Sequence, residues 1–210
     1  MYRRSFLTAA LGAAVAAAVP TPAMSLTTTW SWTVQTLEAF TDTLIPGAKR
    51  YPGDIAVAGS APGPGGADAG YLALLTDPAV GTSHLLGTVA GLLNVRATAY
   101  ALNKGIILPS LYPPFVGLAF RHRTAVVHAA FGLSDPDRDL WVIMALLSSL
   151  SFDAAVHLHT RTALQQHHPG LRWLGFPDPG ADGLWRYPEH SYRRVLADLH
   201  PGTSSGGNPA

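Results

Sequence analysis

One helix that is forced to stop limits what this chain can fold into. Apolar or small side chains recur at helical spacing in the segment before Pro46, at Leu37, Phe40, Thr41, Leu44 and Ile45. Pro46 must end that helix, because the residue before a proline is pushed out of the helical region, and Gly47 permits a sharp turn. The sequence therefore predicts a helix that ends at Ile45, with Thr33 or Thr36 as its N-cap, and then a Gly/Pro/Ala-rich loop over residues 47–66.

The remainder of the chain also predicts helices. We expect them over residues 67–75, 78–103, 115–131, 134–168 and 190–199. The one from Ser134 to His168 is the longest, and its 3.6-residue periodicity marks it as the central core helix. Its apolar stripe comprises Leu140, Ile143, Met144, Leu147, Leu150, Ala154 and Leu158. No segment alternates convincingly with period two, so the predicted fold class is all-α: an irregular multi-helix bundle with long Pro/Gly-rich loops and an aromatic C-terminal strap.

The amino terminus predicts export. Arg3, Arg4, Phe6 and Leu7 resemble the twin-arginine export motif, and an uncharged Ala/Val/Leu run follows them up to Pro20. That run is too short for a membrane anchor, which needs about 20 apolar residues. We expect a signal peptide over residues 1–23, a single helical domain over 24–200 and a disordered tail over 201–210, in a protein found in the cell envelope, the periplasm or the medium.

Composition excludes several classes of protein. The chain has no cysteine, which excludes disulfides, thiolate metal sites and a thiol nucleophile. Removal of residues 1–23 leaves 12 basic against 13 acidic residues, a balance that argues against nucleic-acid binding or a polybasic membrane patch. Only 13% of the residues are charged, so a large share of the surface should be apolar. Such a surface suits a protein that stays bound to a partner.

An Asp/His pair is the candidate for chemistry. Asp153, His157 and Arg161 are spaced four apart in the predicted helix 134–168, which would align them on one face. The aspartate and histidine could then act as a general base with its orienting carboxylate, or as two metal ligands. The alternative interpretation is a structural hydrogen-bonded pair. The chain has two glutamates, Glu38 and Glu189, which excludes a glutamate-rich di-iron bundle.

Two further clusters carry charge. Arg121, His122 and Arg123 could bind a phosphate or carboxylate, although such a run is more often the solvated face of a helix. His167 and His168 fit cations at a helix C-terminus. The sequence contains no nucleophile elbow, zinc-protease motif, Walker A loop or dinucleotide-binding glycine motif, so we predict no metal and no cofactor on this chain.

Two stretches of the chain resemble a known family. The first is Thr36-Leu-Glu-Ala-Phe-Thr-Asp-Thr-Leu-Ile-Pro-Gly47, with the Ala-Asp-Ala-Gly-Tyr-Leu-Ala-Leu-Leu that ends at Leu75. The second is the Trp/Gly/Pro-rich segment over residues 171–190. Together they resemble the gluconate 2-dehydrogenase subunit 3 family of small exported proteins that accompany flavin-dependent dehydrogenases.

The resemblance implies a non-catalytic accessory subunit. Its partner would be an exported oxidoreductase of the glucose–methanol–choline class, with FAD on the partner, and the small subunit would assist folding and export. We expect the interface to include residues 47–66 and four aromatic side chains, Trp173, Phe176, Trp185 and Tyr187. The alternatives are a small exported helical enzyme that uses Asp153 and His157, or a free-standing helical binding protein.

Overall fold

The computed structural model describes residues 26–178, and side-chain environments from Ser31 onward. All the regular structure in this part of the chain is helical, which confirms the all-α prediction. The chain divides into a unit that ends at Gly175 and a second unit over 176–210. The signal peptide, the helix expected over 190–199 and the tail lie outside the described residues.

The described part of the chain contains eight α-helices and one short 3-10 helix, joined by loops. They are α1 (Leu26–Leu44), α2 (Tyr71–Thr76), the 3-10 turn Ser83–Leu85, α3 (Leu86–Lys104), α4 (Pro114–Gly117), α5 (Phe120–Ala130), α6 (Arg138–Ala154), α7 (Thr160–Gln165) and α8 (Pro169–Trp173).

Helix α1 occupies the centre of the first unit. It contacts α2, α3, α4, α5 and α6, and it buries Leu37, Ala39 and Phe40. It ends at Leu44, one residue before the predicted Ile45 and two before Pro46, but it begins at Leu26. Neither Thr33 nor Thr36 is therefore an N-cap, because both lie inside the helix. Thr36 donates its hydroxyl to Trp32 O at 2.7 Å. The central helix is this one and not the predicted helix 134–168.

Helix α3 packs beside α1 and stops where the sequence predicts. Gly105 adopts a left-handed conformation (φ 64°) and donates its N–H back to the carbonyls of the last turn, with Lys104 just before it. Leu86, Val89 and Leu93 on one side are buried, whereas Val95 and Leu102 on the other are exposed. By length and composition alone, Ser83–Lys104 could cross a membrane, and core helices of globular proteins pass the same test.

Two predicted helices are each broken in the structure. Extended residues Leu118 and Ala119 separate α4 from α5 within the predicted 115–131. The predicted helix 134–168 ends at Ala154, because Ala155 is left-handed (φ 47°) and fully buried. A left-handed alanine costs roughly 1–2 kcal/mol. The sequence has no glycine or proline near Ala155 that would predict the end of the helix. Packing around Ala155 offsets that cost.

The buried face of α6 includes polar side chains that the apolar stripe did not predict. Leu140, Met144 and Leu147 are buried as expected, but Ala154 is exposed. Ser148 is buried and donates a hydrogen bond to the hydroxyl of Thr41 at 2.6 Å, so it joins α6 to α1. Hydroxyls that satisfy one another can replace apolar side chains at a helix contact without leaving an unpaired polar atom.

A pair of leucines on α3 tests this packing. Leu93→Ala removes a fully buried side chain and should lower the free energy of unfolding by about 2–5 kcal/mol, through lost burial and the cavity left behind. Leu102→Ala, at a position 77% exposed on the same helix, should change it by about 0.5 kcal/mol or less. Urea denaturation followed by circular dichroism measures both. Equal losses would contradict this assignment of the two faces of α3.

Candidate functional site

The loop over residues 47–66, which we call the anchored loop, has no helix but is fixed at both ends. Ala48 N donates to Gly63 O at 2.7 Å, and Gly66 N donates to Ile45 O at 2.9 Å. The backbones at Gly47 and Gly65 touch, since a Cβ on Gly47 would lie 2.2 Å from Gly65 N. The two arms of the loop therefore close on each other, which requires glycine at this contact.

Asp42 ties the anchored loop to the end of α1. Its side chain is fully buried and accepts hydrogen bonds from Ala58 N at 2.8 Å and Gly47 N at 3.4 Å. Burial raises the pKa of the Asp42 carboxyl, and the two backbone N–H groups oppose that rise. Asp42 was not among the candidate site residues predicted from the sequence. The signal was an aspartate in the last turn of a helix, where the dipole disfavours it.

A second carboxylate holds the middle of the anchored loop. Arg50 donates to Asp54 at 2.6 Å and to both oxygens of Glu38 on α1, at 2.7 and 2.8 Å. Asp54 also accepts from Val57 N at 3.2 Å. Burial raises the pKa of Asp54, but the hydrogen bonds from Arg50 and Val57 N outweigh it, so the pKa is lowered overall. The loop is thus clamped by charge-assisted hydrogen bonds.

Arg123, on α5, binds backbone carbonyls of the same loop. Its buried guanidinium donates to Ile55 O at 3.1 Å and to Ala56 O in the loop, and to Leu118 O and Val116 O at 3.0 and 2.6 Å. Burial lowers the pKa of Arg123, and the charges of Asp42 and Asp54 oppose that change. The guanidinium therefore joins the anchored loop to the bend before α5.

The predicted Arg121–His122–Arg123 cluster is not one patch. Arg123 is buried, so interpreting all three as a solvated helix face was wrong, and an anion could not meet all three. Arg121 is exposed and donates to Nε2 of His122 at 3.2 Å. Since that nitrogen accepts, Nδ1 of His122 carries the proton toward the Tyr100 hydroxyl, 3.1 Å away.

Helix α8 brings an aromatic side chain onto the anchored loop. A Cβ on Gly63 (φ 84°) would lie 2.6 Å from Cη2 of Trp173, so the indole rests directly on this glycine. At the other end of α8, a Cβ on Gly170 would lie 2.1 Å from Phe152 O. Trp173 remains 59% exposed and Leu174 54% exposed. We call the anchored loop with Trp173 and Leu174 the Trp173 surface.

The structure separates the two candidate catalytic residues. Asp153 is exposed in the last turn of α6, and His157 comes after the break at Ala155, so the predicted four-residue helical spacing does not exist. Among the described residues, no hydrogen bond or ion pair joins Asp153 to His157. The ring of His157 instead lies 5.6 Å from the ring of His168, measured between centroids. The prediction that Asp153 and His157 align on one face of a helix was wrong.

The predicted position of His167 and His168 at a helix C-terminus is confirmed, although the helix is α7. His167 (φ 55°) and His168 follow its last turn and donate their N–H groups to Leu164 O and Ala163 O, at 2.9 and 2.8 Å. His168 is at the same time the N-cap of α8, which the sequence did not predict. Of the four aromatic interface candidates, Trp173 and Phe176 are exposed, while Trp185 and Tyr187 lie outside the described residues. Within residues 26–178, no group of three or more His, Asp or Glu side chains is placed to hold a metal ion.

The fold and this surface define an all-helical protein with a rigid, aromatic-edged loop. Residues 31–210 match a family of unknown function (DUF5987), and the chain belongs to that family. No curated protein and no solved structure matches the chain. The match therefore assigns the family without naming an activity, and the resemblance to the subunit 3 family stays a prediction.

Arg123 offers a direct test of loop support. Arg123→Met should lower the free energy of unfolding by about 3–5 kcal/mol, because four carbonyl oxygens lose their donor and the nearby buried carboxylates lose a cation. Arg121→Met is the matched control, since its guanidinium is exposed, and it should change stability by about 0.5 kcal/mol or less. Chemical denaturation measures both. A tolerated Arg123→Met would show that Arg123 does not hold the loop.

Gly63 tests the contact between the loop and Trp173. Gly63→Ala should displace the indole, and the fluorescence of Trp173 should change; subtracting the spectrum of the matching Trp173→Phe variant isolates that residue. Gly81→Ala is the control, because Gly81 has a similar positive φ (72°) but a Cβ there meets nothing within 4 Å. Both substitutions carry the left-handed cost of roughly 1–2 kcal/mol. An unchanged Trp173 signal in Gly63→Ala would refute the contact.

Proposed function

We propose that this protein is a non-catalytic accessory subunit of an exported FAD-dependent oxidoreductase of the glucose–methanol–choline type. It assists the folding and export of that partner, and the partner holds the FAD. The observation that carries the proposal is the Trp173 surface: an indole that stays largely exposed while it rests on a loop held by buried charges. A side chain of this kind is a typical anchor of a protein interface.

The rigidity of the anchored loop favours a binding role. Asp42, Asp54 and Arg123 fix its backbone before any partner arrives. A surface that is already ordered avoids much of the entropy cost of association, so more of the contact energy remains as affinity. A loop that served as a mobile lid over chemistry would not need three buried charged groups to hold it still.

Some of the residues that carry the resemblance to the subunit 3 family also hold this loop. In the stretch from Thr36 to Gly47, Asp42 accepts two loop N–H groups and Gly47 permits the contact with Gly65. Tyr71, in the matching stretch after the loop, is fully buried against α6. The motif thus has a scaffolding role here, which fits a subunit that presents a surface and carries no chemistry of its own.

Export completes the proposal. Arg3, Arg4, Phe6 and Leu7 make up the predicted twin-arginine signal, a route that carries folded proteins. A flavoprotein must take up FAD before it leaves the cell. A partner without a signal of its own could therefore leave bound to this chain.

Purification from the native cell envelope or medium tests the function. The tagged protein should bring down a flavoprotein in stoichiometric amount, visible as a flavin absorption spectrum and identified by mass spectrometry. A colourless protein recovered alone from the same source would overturn the proposal. It would favour the free-standing binding protein.

Trp173→Ala tests the surface itself. Loss of a central tryptophan anchor typically costs 2 kcal/mol or more, so the partner should bind about 30-fold more weakly or worse. Leu102→Ala, an exposed leucine on α3, is the control and should bind as the unaltered protein does. Both sites are largely exposed, so both variants should fold, which thermal melting verifies. Undiminished partner recovery with Trp173→Ala would remove this surface from the proposal.

A further inference from the structure

His168 holds α8 in place with both of its ring nitrogens. The side chain is 5% exposed and caps α8, where Nδ1 accepts a hydrogen bond from Leu171 N at 3.4 Å. Nε2 lies 3.1 Å from Ala69 O. An amide N–H can only donate and a carbonyl can only accept, so the proton must sit on Nε2 while Nδ1 is bare. The neutral ring in this single tautomer satisfies both contacts.

Protonation of His168 would destroy that arrangement. The imidazolium carries a proton on both nitrogens, so Nδ1 could no longer accept from Leu171 N, and two N–H groups would point at each other. The first turn of α8 would lose its side-chain cap, worth about 1 kcal/mol in typical helices. Because α8 has five residues, its position depends on these end contacts.

His157 makes the site still less tolerant of charge. Its ring lies 5.6 Å from that of His168, and its Nδ1 is buried with no hydrogen-bond partner in the described part of the chain. Its other nitrogen faces Gly70, where a Cβ would lie 2.4 Å from Nε2. Two positive rings at this distance would repel each other, and burial of His168 limits the screening by water on its side.

Few opposite charges face the pair. Asp77, after α2, is the carboxylate that acts on His157, and the carbonyl of Ala69 faces His168. The other titratable side chains at the C-terminal end of α6 and on or next to α7 and α8 are exposed: Asp153, His159, Arg161, His167 and Arg172. Asp68, beside Ala69, is half-buried and accepts a hydrogen bond from Gly65 N at 3.0 Å. Burial lowers the pKa of both rings; His168 lowers that of His157 further, while Asp77 and the Ala69 carbonyl oppose the change.

We propose that His157 and His168 form a proton-controlled latch, in which the neutral rings hold α8 and Trp173 against the anchored loop and protonation releases them. Histidine suits this role because its charge changes near neutral pH. The release would take Trp173 off Gly63 and so change the Trp173 surface. The latch is a property of this chain alone and does not depend on the proposed partner.

The direction of the pH dependence follows from the lowered pKa values. In the open or unfolded state each ring titrates near the ordinary 6.5, whereas in the closed state it titrates lower. Below pH 6.5 the open state therefore binds more protons than the closed one, so acid favours opening and the closed state is fully stable above that pH. The equilibrium constant for opening should rise by at most about tenfold per pH unit for each ring.

Nuclear magnetic resonance of the full-length chain tests the latch in two ways. Nitrogen chemical shifts at pH 7.5 should show His168 protonated on Nε2 alone. Hydrogen exchange of the Leu171 amide, corrected for its intrinsic pH dependence, should show an opening constant that rises as the pH falls from 7.5 to 5.5. A His168 ring protonated on Nδ1, or a pH-independent opening constant, would overturn the proposal.

Variants separate the latch from general acid sensitivity. In His157→Gln/His168→Asn, the asparagine keeps a capping oxygen but neither side chain titrates, so the opening constant should become nearly flat between pH 7.5 and 5.5. His128→Gln removes an exposed histidine on α5 and should keep the unaltered pH dependence. If the double variant does not fold, His168→Asn alone should lose at least half of the logarithmic slope. An unchanged slope in either variant would refute the latch.

Discussion

The structure depends on two buried side chains of opposite charge, Asp42 and Arg123, which form hydrogen bonds with backbone groups. Asp42 accepts from N–H groups of the anchored loop, and Arg123 donates to its carbonyls and to the bend before α5. Neither group faces the other in a direct ion pair. Each is stabilised by the peptide dipoles around it, and this is how a buried charge avoids the large desolvation cost of an unpaired one. A twenty-residue stretch without helix is rigid because of this arrangement.

Contacts with the anchored loop and its neighbours also fix α8, at the C-terminal end of the first unit. Trp173 rests on Gly63, Gly170 rests on the carbonyl of Phe152, and His168 binds Ala69 O. Helix α8 thus touches the loop, the end of α6 and the residues before α2 with only five residues of its own. A helix this short has little stability by itself, so its contacts decide its position. This makes the Trp173 surface both well defined and sensitive to a small change beneath it.

Local signals in the sequence predicted the ends of helices where proline or glycine is present. Pro46 ends α1, and Lys104 with Gly105 ends α3, because a fixed φ or a permitted left-handed conformation acts within a residue or two. The break at Ala155 has no such signal, so the sequence predicts an unbroken helix as far as His168. That error created the supposed Asp153–His157 pair. In the candidate site, the start of the loop and the exposure of Trp173 followed from sequence. The helix predicted to begin at residue 67 begins only at Tyr71, and the roles of Asp42 and Arg123 did not follow from sequence.

The sequence by itself determined that the chain is all-helical, that helix α1 stops before Pro46 and that a long Gly/Pro-rich loop follows. These are consequences of residue periodicity and of backbone sterics, which act over a few residues. Tertiary structure alone decided which charges are buried, which helix is central and which histidines meet. Asp42 and Ala58 are 16 residues apart, and Arg123 and Ala56 are 67 apart. Contacts over such separations depend on how the helices pack. The residue pattern of one segment therefore cannot predict which distant residue its side chains will contact.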